Sequence, residues 1–415
     1  MTKTSASLSV NASFFQPLDG LVTASPFTRS CPEFSDEQWW FLGIERALEP
    51  VVSGRAFLQE HGPRFENTPG RSNYFFSLQS QRRVDLAREI NLAVIAAAIV
   101  PKRLDHIPEL ARWECFALDG HWHQAASHDP RHEGTKMAVG HFYSLNLRGH
   151  QCRHLAVGEG LHEHDMSVLK RLKPSGLRQE VRQGRRVLVI YDKAGIDLSY
   201  WNRCRQECAV YFLSRVKEDR VYDWIMNREM DRTDRRNRGV SEDRLIVTRE
   251  GHKMRIIVYT EPESGKRYEF LTNVLELPPG VLAELYRRRW DVEKLFDEMK
   301  NKLGEKKAWG TSLVAKAAQG QRVALTHNLL LLYEHRLERE HGVGNVAEDR
   351  RRGKRTEALK RVARQAGREV SSLLLCPRGA TQRSVKFIRW LRHALKEKLT
   401  EALAVLRLAQ LYATP

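Results

Sequence analysis

Four side chains that can take part in phosphoryl chemistry recur at helical spacing within residues 286–300, YRRRWDVEKLFDEMK. Tyr286, Arg289, Glu293 and Lys300 follow one another at intervals of three, four and seven residues. Because each residue of an α-helix advances by about 100°, these side chains fall within an arc of roughly 60°. A carboxylate beside a phenol, a guanidinium and an ammonium can meet a metal ion and phosphate groups together, which indicates phosphodiester chemistry.

The same helix carries an apolar stripe typical of a face that packs on a core, comprising Leu285, Val292, Phe296, Met299 and Leu303. The remaining arc is predicted to be solvated and holds Arg287, Arg288, Asp291, Lys294 and Glu298. Pro278, Pro279 and Gly280 precede the helix, and Gly304 is expected to end it. The competing interpretation is a solvated surface, on which neighbouring Glu–Arg and Glu–Lys pairs contribute about 0.2–0.5 kcal/mol each.

Two short apolar segments of the chain each end in an aspartate. Residues 115–118, CFAL, precede Asp119, and residues 187–191, VLVIY, precede Asp192. Both segments are typical of buried strands. Two strand-ending carboxylates and one helical carboxylate, Glu293, form the set of oxygen ligands that a two-metal phosphoryl-transfer site needs.

The pattern Tyr286-x2-Arg289-x3-Glu293-x6-Lys300 resembles the Y-R-E-K signature of DDE transposases in the insertion-sequence-four group. The resemblance extends from about residue 112 to residue 332. The aspartates of the two strands and the glutamate of the helix would then take the family's D, D and E positions.

One departure from the family pattern leaves a rival for the second carboxylate. Many relatives have glycine two residues after the second aspartate, whereas Gly195 lies three residues after Asp192. Asp197 is therefore a minor alternative, although Asp192 is preferred because it ends the strand.

The resemblance implies an α/β fold with a ribonuclease-H-like core, a β-rich insertion and flanking helical regions. It implies that Asp119, Asp192 and Glu293 hold two Mg²⁺ ions, for which Mn²⁺ can substitute. Tyr286 and two cations, Arg289 and Lys300, would contact phosphates. The implied reaction frees a 3′-hydroxyl at the element ends and joins it to target DNA, and the implied partners are double-stranded DNA and a second protomer.

The charge balance independently favours a polyanionic partner. The chain has 69 Lys and Arg against 51 Asp and Glu, a net charge of +18, and nucleic acid is the default partner of such a chain. The apolar segment at 92–100, LAVIAAAIV, is too short to span a membrane. The first residues lack the apolar region of a secretory signal, so we expect a cytoplasmic protein without a membrane partner, associated with the nucleoid through DNA.

The length predicts two or three domains. A flexible tail at 1–34 would precede a helical region at 35–111, opened by a capping box at Ser35. That region could bind element ends or be a structural bundle. The catalytic core would occupy 112–216 and 276–345, interrupted by a β-rich insertion at 217–275 and followed by a basic, helical region at 346–415. Strands are predicted in the core at 114–118, 136–147, 151–157, 186–191 and 209–216. Three short strands are predicted in the insertion, RLIVT at 244–248, MRIIVYT at 254–260 and YEFLTN at 268–273.

Histidines are concentrated between residues 121 and 164, which hold nine of the sixteen. HWH at 121–123 and HEH at 162–164 place two rings on one side of a strand, so zinc is conceivable. The spacing fits no closed zinc pattern, and these histidines could instead bind phosphates or simply pack. His121 and His123 are candidates for groups that support the catalytic metal site. Cys204 and Cys208 share a helix face but lack a second pair, so they are predicted to pack.

Three further features are open to two interpretations each. Trp201, Trp224 and Trp309 could stack on bases or simply pack. RRRGKR at 350–355 could be a phosphate-binding patch or a flexible loop. The amphipathic segment 384–411 could dock on the core or pair two protomers.

Two other functions use the same residues. A metal-dependent nuclease would keep the fold and carboxylates but would not join strands. A catalytically inactive DNA-binding relative is disfavoured because all three carboxylates are present. A basic structural nucleoprotein would leave the four-residue stripe unexplained.

Overall fold

The computed structural model describes residues 10–397 apart from 30, 32, 50–52, 66–67, 127–128, 130, 133–134, 137, 159–162, 164, 218–221, 343–345 and 377–382. The helices are α1 (Val10–Phe15), α2 (Leu21–Ala24), α3 (Asp36–Leu48), α4 (Gly54–His61), α5 (Arg71–Ser77), α6 (Gln81–Ala97), α7 (Asp165–Arg171), α8 (Leu198–Cys208), α9 (Pro279–Arg288), α10 (Trp290–Asn301), α11 (Leu313–His341), α12 (Val346–Gln365), α13 (Ser372–Leu375) and α14 (Val385–Glu397). The strands are β1 (Trp113–Gln124), β2 (Arg131–His132), β3 (Thr135–Lys136), β4 (Ala138–Asn146), β5 (Cys152–Val157), β6 (Arg186–Ile190), β7 (Val210–Arg215), β8 (Asp223–Asn227), β9 (Val240–Val247), β10 (Lys253–Thr260) and β11 (Arg267–Thr272).

Nine strands form one mixed sheet in the order β5-β4-β1-β6-β7-β11-β10-β9-β8. β1 is antiparallel to β4 and parallel to β6, and β6 is parallel to β7. The prediction of an α/β fold is therefore confirmed, and the predicted core strands agree with β4, β5, β6 and β7 within two residues. β1 is longer than the predicted 114–118, because pairing with β4 continues to Gln124, so Asp119 lies within the strand and not at its end.

The sheet has apolar residues on both faces because its central strands are buried on both sides. Along β1 and β6, side chains alternate between two cores: Ala117 and Ile190 belong to one, and Leu118 and Val189 to the other. The first core also contains apolar residues of α3, α6, α9, α10 and α11, whereas α7 and α8 pack into the second. Asp119 follows the alternation of Ala117 and so lies on the face that α10 covers.

The N-terminal region differs from the expected flexible tail. Residues 1–9 lie outside the described residues, but Phe14 and Phe15 in α1 are fully buried. Phe15 stacks on Phe41 with the ring centroids 5.5 Å apart. The prediction missed Phe14 and Phe15 because the residues around them are mostly polar. The predicted capping box is confirmed, since Ser35 accepts a hydrogen bond from Gln38 N at 3.2 Å at the start of α3.

The segment predicted to be a β-rich insertion forms strands that belong to the same sheet. β11 pairs antiparallel with β7, so β8–β11 extend the sheet beyond the core strands. Arg255 and Asp243 form a bidentate ion pair between β10 and β9, with both nitrogen–oxygen distances 2.6 Å and both side chains buried. α9 then begins as expected, with Pro278 as its N-cap.

The position of α9 depends on a glycine. A Cβ atom on Gly280 would lie 2.0 Å from the backbone oxygen of Arg236, and its N–H donates to Asn237 at 3.0 Å. Any side chain here would push the helix away from the short 3₁₀ turn at 235–237.

Two predictions concern the C-terminal region. RRRGKR at 350–355 is helical within α12, so the flexible-loop interpretation is wrong. The amphipathic segment is helical at 385–397, where Ile388 and Leu391 join the core, and its remainder lies outside the described residues. Within the described part of the chain, no helix combines the length and apolar character needed to span a membrane.

Candidate active site

The predicted Glu293 helix is divided into α9 and α10 at Arg289. This residue keeps right-handed helical angles, with φ −51° and ψ −36°, and its carbonyl accepts from Val292 N at 3.1 Å. The helical phase is therefore nearly preserved across the break. Tyr286 lies on α9, whereas Glu293 and Lys300 lie on α10, which ends at Asn301 rather than at Gly304.

Arg289 links the first and third predicted carboxylates. Its Nη1 atom donates to Asp119 Oδ2 at 3.0 Å, and its Nη2 atom donates to Glu293 Oε1 at 2.7 Å. Arg289 as a whole is 7% exposed, so little water competes for these bonds. A strand and a helix distant in sequence are thereby joined through one cation.

Asp192 follows β6 after one intervening residue, Tyr191, close to the position that the sequence predicts. Its Oδ1 atom accepts from Ala194 N at 2.8 Å, and its carbonyl accepts from the Ser214 hydroxyl at 2.7 Å. The rival Asp197 instead caps α8, accepting from Tyr200 N at 2.9 Å, and pairs with Lys170 at 2.5 Å. Among these two aspartates, only Asp192 contributes to the electrostatic environment of Asp119. The geometry therefore favours Asp192 over Asp197.

The carboxyl group of Asp119 is unusually hard to ionise. Burial raises its pKa to about 7, with Arg289 acting in the opposite direction and Asp192 and Glu293 adding to the rise. The three carboxylates thus concentrate negative charge that a further cation would neutralise.

The three carboxylates do not yet form a closed ligand set. Among the residues that the structure describes, their oxygens do not all come within 4.8 Å of one another. Arg289 lies between two of them and supplies the positive charge. Three carboxylates suit divalent cations such as Mg²⁺, which prefer carboxylate oxygen as a ligand. In this structure the Arg289 guanidinium lies where such a cation would bind.

The remaining two residues of the stripe differ in their surroundings. Tyr286 is buried against Phe270, with ring centroids 4.7 Å apart, and burial raises its pKa to about 12, so its hydroxyl stays protonated. Lys300 is half-buried and makes no hydrogen bond or ion pair with the described residues. Lys300 is therefore available for an external anion.

The prediction of a solvated arc is wrong for Arg288, Asp291 and Glu298, which are all buried. Arg288 donates to Glu284 at 2.7 Å on α9. Glu298 accepts from Arg383 N at 2.7 Å and also binds that residue's guanidinium. The helix wheel failed here because charged partners elsewhere in the fold cover part of this arc: His150 lies 3.5 Å from Asp291, and Arg383 binds Glu298. Arg287 and Lys294 are half-buried, and each pairs with a carboxylate.

A second polar cluster lies farther along β1, on the same sheet face. It brings together His121 and His123 of β1, His141 and Tyr143 of β4, and Glu305 after α10. Tyr143 donates to Glu305 Oε1 at 2.5 Å, and His121 Nε2 lies 3.2 Å from Glu305 Oε2. Burial lowers the pKa of His123 and His141, so both rings are neutral.

Sequence reasoning missed three members of this cluster, His141, Tyr143 and Glu305. His141 faces His121 directly across the β1–β4 pair, and Glu305 arrives from a distant segment. The alternation of His121 and His123 was the one sequence signal that pointed to this cluster. No spacing rule connects that alternation to Glu305. The motif at 162–164 does not test the zinc interpretation, since His162 and His164 lie outside the described residues.

The burial of the tryptophans and cysteines distinguishes packing from the other roles considered for them. Trp201 is fully buried and stacks on Phe212, and Trp309 lies under Arg46 with 4.4 Å from the guanidinium carbon to the ring centroid. Trp224 is 62% exposed. All six cysteines are free, and burial raises the pKa of Cys204 to about 11, which agrees with packing rather than metal binding.

One exposed aromatic residue near the carboxylates was also missed. Trp290 opens α10 directly after Arg289 and is 57% exposed, and the Arg289 guanidinium carbon lies 5.7 Å from its ring centroid. An aromatic face in this position could stack on a base.

A family model described as the transposase DDE domain matches residues 132–329. The matched range includes Asp192 and Glu293, whereas Asp119 precedes it. This match supports a DDE transposase. The structure is also similar to a piggyBac transposase in a synaptic complex with hairpin DNA, with 10% identity, a TM-score of 0.41, and coverage of 100% of this chain and 84% of that chain. That likeness is too weak to support an inference. No curated protein matches the sequence.

Proposed function

We propose that this protein is a metal-dependent DNA transposase of the insertion-sequence-four type. It would cleave DNA at the ends of an insertion element and join the freed 3′-hydroxyl to target DNA. The observation that carries the proposal is the contact of Arg289 with both Asp119 and Glu293, next to Asp192, in a chain that matches the transposase DDE domain. The three carboxylates that the resemblance selected are thus neighbours in space.

The strand order supports a ribonuclease-H-like core. Three adjacent antiparallel strands, β5-β4-β1, are followed by the parallel β6 and β7, with α8 as the connection between them. The carboxylates stand on β1, after β6 and on α10. The proposed division of the chain is unchanged from the sequence: core at 112–216 and 276–345, insertion at 217–275, and a candidate end-binding region at 35–111.

Two Mg²⁺ ions, replaceable by Mn²⁺, would be held by Asp119, Asp192 and Glu293. Bound there, such ions activate an attacking oxygen and neutralise charge on the leaving oxygen. The chain supplies the negative charge, and the pKa of about 7 at Asp119 means that metal binding must displace a proton at neutral pH.

The cationic side chains would position the phosphate backbone. Lys300 has no partner among the described residues, and Arg289 can exchange a carboxylate for a phosphate when cations occupy the site. The protonated Tyr286 hydroxyl can donate a hydrogen bond to a phosphate oxygen. Trp290 adds an exposed ring beside them. The net charge of +18 suits double-stranded DNA, and two element ends call for two protomers.

The test combines the purified protein, Mg²⁺, a linear DNA carrying the ends of its own flanking element, and a supercoiled target. We expect nicks with 3′-hydroxyls at the element boundary and joined products. Asp119→Asn, Asp192→Asn and Glu293→Gln should each abolish both products while leaving DNA binding nearly intact. Asp197→Asn is the matched control and should retain both, because Asp197 caps a helix and pairs with Lys170.

Each alternative has its own outcome. Cleavage that never yields joined products favours the nuclease of the same fold. Binding without either product favours the inactive DNA-binding relative. Unchanged cleavage in Glu293→Gln would remove that residue from the site.

A further inference from the structure

We infer that His123, His141 and Glu305 form a buried site for a transition-metal dication, best suited to Zn²⁺ and separate from the three catalytic carboxylates. One ligand atom from each residue lies within 4.8 Å of the others. The three side chains are 5%, 0% and 0% exposed. They form the one such group of three among the described residues.

The hydrogen bonds leave one nitrogen of each imidazole directed at the cluster. His123 Nδ1 lies 3.0 Å from the carbonyl oxygen of Gln124, to which it must donate. His141 Nδ1 lies 3.0 Å from His154 Nε2. A metal-binding histidine commonly has its second nitrogen held by a carbonyl or another polar group, which fixes the ring orientation.

The atoms left over are the donors that a metal would need. His123 Nε2 and His141 Nε2 are buried and make no hydrogen bond with a described residue. A buried polar atom without a partner costs about 1–3 kcal/mol, so these two nitrogens call for an explanation. One cation would satisfy both nitrogens and take Glu305 as its third ligand, and His121 is a further buried donor, 3.2 Å from Glu305 Oε2.

The donor types distinguish this site from the catalytic one. Two imidazole nitrogens and one carboxylate oxygen suit zinc, whereas an all-carboxylate set suits Mg²⁺. Tetrahedral zinc with bonds of about 2.0–2.2 Å would hold its donors roughly 3.3 Å apart, so the cluster would contract modestly on binding. Neither cysteine of the helical pair belongs to it.

The site would fix the catalytic strand against the catalytic helix. β1 carries both Asp119 and His123, and Glu305 closely follows α10, which carries Glu293. Phe296 of α10 lies 4.8 Å from the His121 ring between the two clusters. A Cβ atom on Gly304 would lie 2.5 Å from the Arg46 backbone oxygen, so the adjoining Glu305 is held in place by close packing. The bound ion would have a structural, positioning role.

The test measures zinc content and does not depend on transposition. Protein without an affinity tag is dialysed against Zn²⁺ and then buffer, and bound metal is measured by mass spectrometry. The background is Asp119→Asn with Glu293→Gln, which removes the carboxylate site. We expect one zinc per chain, falling at least tenfold with Glu305→Gln or His141→Gln. His327→Gln, which alters a buried histidine outside the cluster, is the matched control and should retain zinc.

A variant that fails to fold would not decide the question, so the unsubstituted ligand set is tested as well. Co²⁺ bound to that protein should give ligand-field absorption without the sulfur charge-transfer band that cysteine ligands produce. A chelator should lower its melting temperature, and Zn²⁺ should restore it. The Cys204→Ser, Cys208→Ser double variant should keep its zinc.

Three results would overturn the inference. These are less than one-tenth of a zinc per chain in the protein with intact ligands, zinc retained after both Glu305→Gln and His141→Gln, and zinc lost from the double cysteine variant. Loss of zinc with cleavage retained would support the site and remove its positioning role. Loss of cleavage alone would concern the proposed function and not the zinc site.

Discussion

At the residue scale, Arg289 acts as an internal cation for two carboxylates. It binds Asp119 and Glu293 at 3.0 Å and 2.7 Å, so a divalent ion entering the site must compete with it. We predict that Arg289→Ala binds Mn²⁺ more tightly than the unsubstituted protein when DNA is absent. Two unit charges about 4 Å apart interact by roughly 1–4 kcal/mol near a protein surface, so a gain of about tenfold is reasonable. Cleavage should nevertheless fall, because a phosphate contact is lost.

Mn²⁺ binding can be followed by electron paramagnetic resonance at pH 8, where Asp119, with a pKa of about 7, is mostly ionised. Arg287→Ala is the matched control, since that neighbouring arginine pairs with Glu284 at 2.8 Å. It should leave Mn²⁺ affinity unchanged. Equal or weaker Mn²⁺ binding in Arg289→Ala would show that the guanidinium does not compete with the metal.

The sequence reveals that residues belong to one site only where strand or helix periodicity connects them. Asp119 and Asp192, each at the end of an apolar run, and the stripe from Tyr286 to Lys300 can all be found from local patterns. The expectation that Asp119 ends its strand is nevertheless wrong, because β1 continues to Gln124. Their assembly into one site came from the family resemblance, since no local rule brings a strand to a helix. Glu305 has neither a periodic pattern nor a family motif, so only tertiary structure places it beside the histidines.

At the element scale, α10 shows why a helical wheel predicts only part of a buried helix. The apolar stripe is buried as predicted, but the opposite arc is covered by α11 and by the segment before α14. There Glu298 meets Arg383 and His327. Burial opposes ionisation of Glu298, yet these two partners outweigh it and lower its pKa to about 2.

We predict that Glu298→Gln lowers the free energy of unfolding by about 3–5 kcal/mol at pH 7, because it leaves Arg383 buried without its counter-charge. The pKa of Glu298 is depressed on folding, so its contribution is complete above the ordinary value of 4.5 and is lost as pH falls toward about 2. The difference between the two proteins should therefore shrink in acid. Denaturant unfolding at several pH values measures it.

Glu242→Gln provides the surface control for this measurement. Glu242 is half-exposed and pairs with Arg267 at 3.1 Å, so its loss should cost less than about 1 kcal/mol. Equal destabilisation by both substitutions would argue against a special role for the Glu298 contacts.

At the scale of the whole molecule, the sequence predicted the strands of the insertion but not where they attach. β9, β10 and β11 were expected from alternating apolar residues, whereas β8 was not, and their continuation of the core sheet through β11 and β7 was not foreseen. Strand partners are selected by long-range contacts such as the buried Arg255–Asp243 pair, which leave no local pattern. The buried phenylalanines of α1 were missed for the same reason.

The net charge of +18 is distributed unevenly over this fold, and α12 carries a dense part of it. Arg350, Lys354 and Arg361 are exposed and fall within about 40° of one another around the helix axis. Glu357 shares that side but pairs with Lys360 at 2.7 Å. These three exposed cations lie in line and form no ion pair with a described residue, so they are suited to the phosphate backbone of a duplex.

We predict that changing Arg350, Lys354 and Arg361 together to glutamine weakens binding to element-end DNA. Each lost phosphate contact should reduce the slope of log K against log salt by about 0.9, hence by at most about 2.7 for the three. Fluorescence anisotropy between low and physiological salt measures that slope. Glutamine at Lys173, Arg182 and Arg205, exposed cations outside α12, removes the same charge and should leave the slope almost unchanged. Equal slopes in the two triple variants would mean that overall charge, rather than α12, binds the duplex.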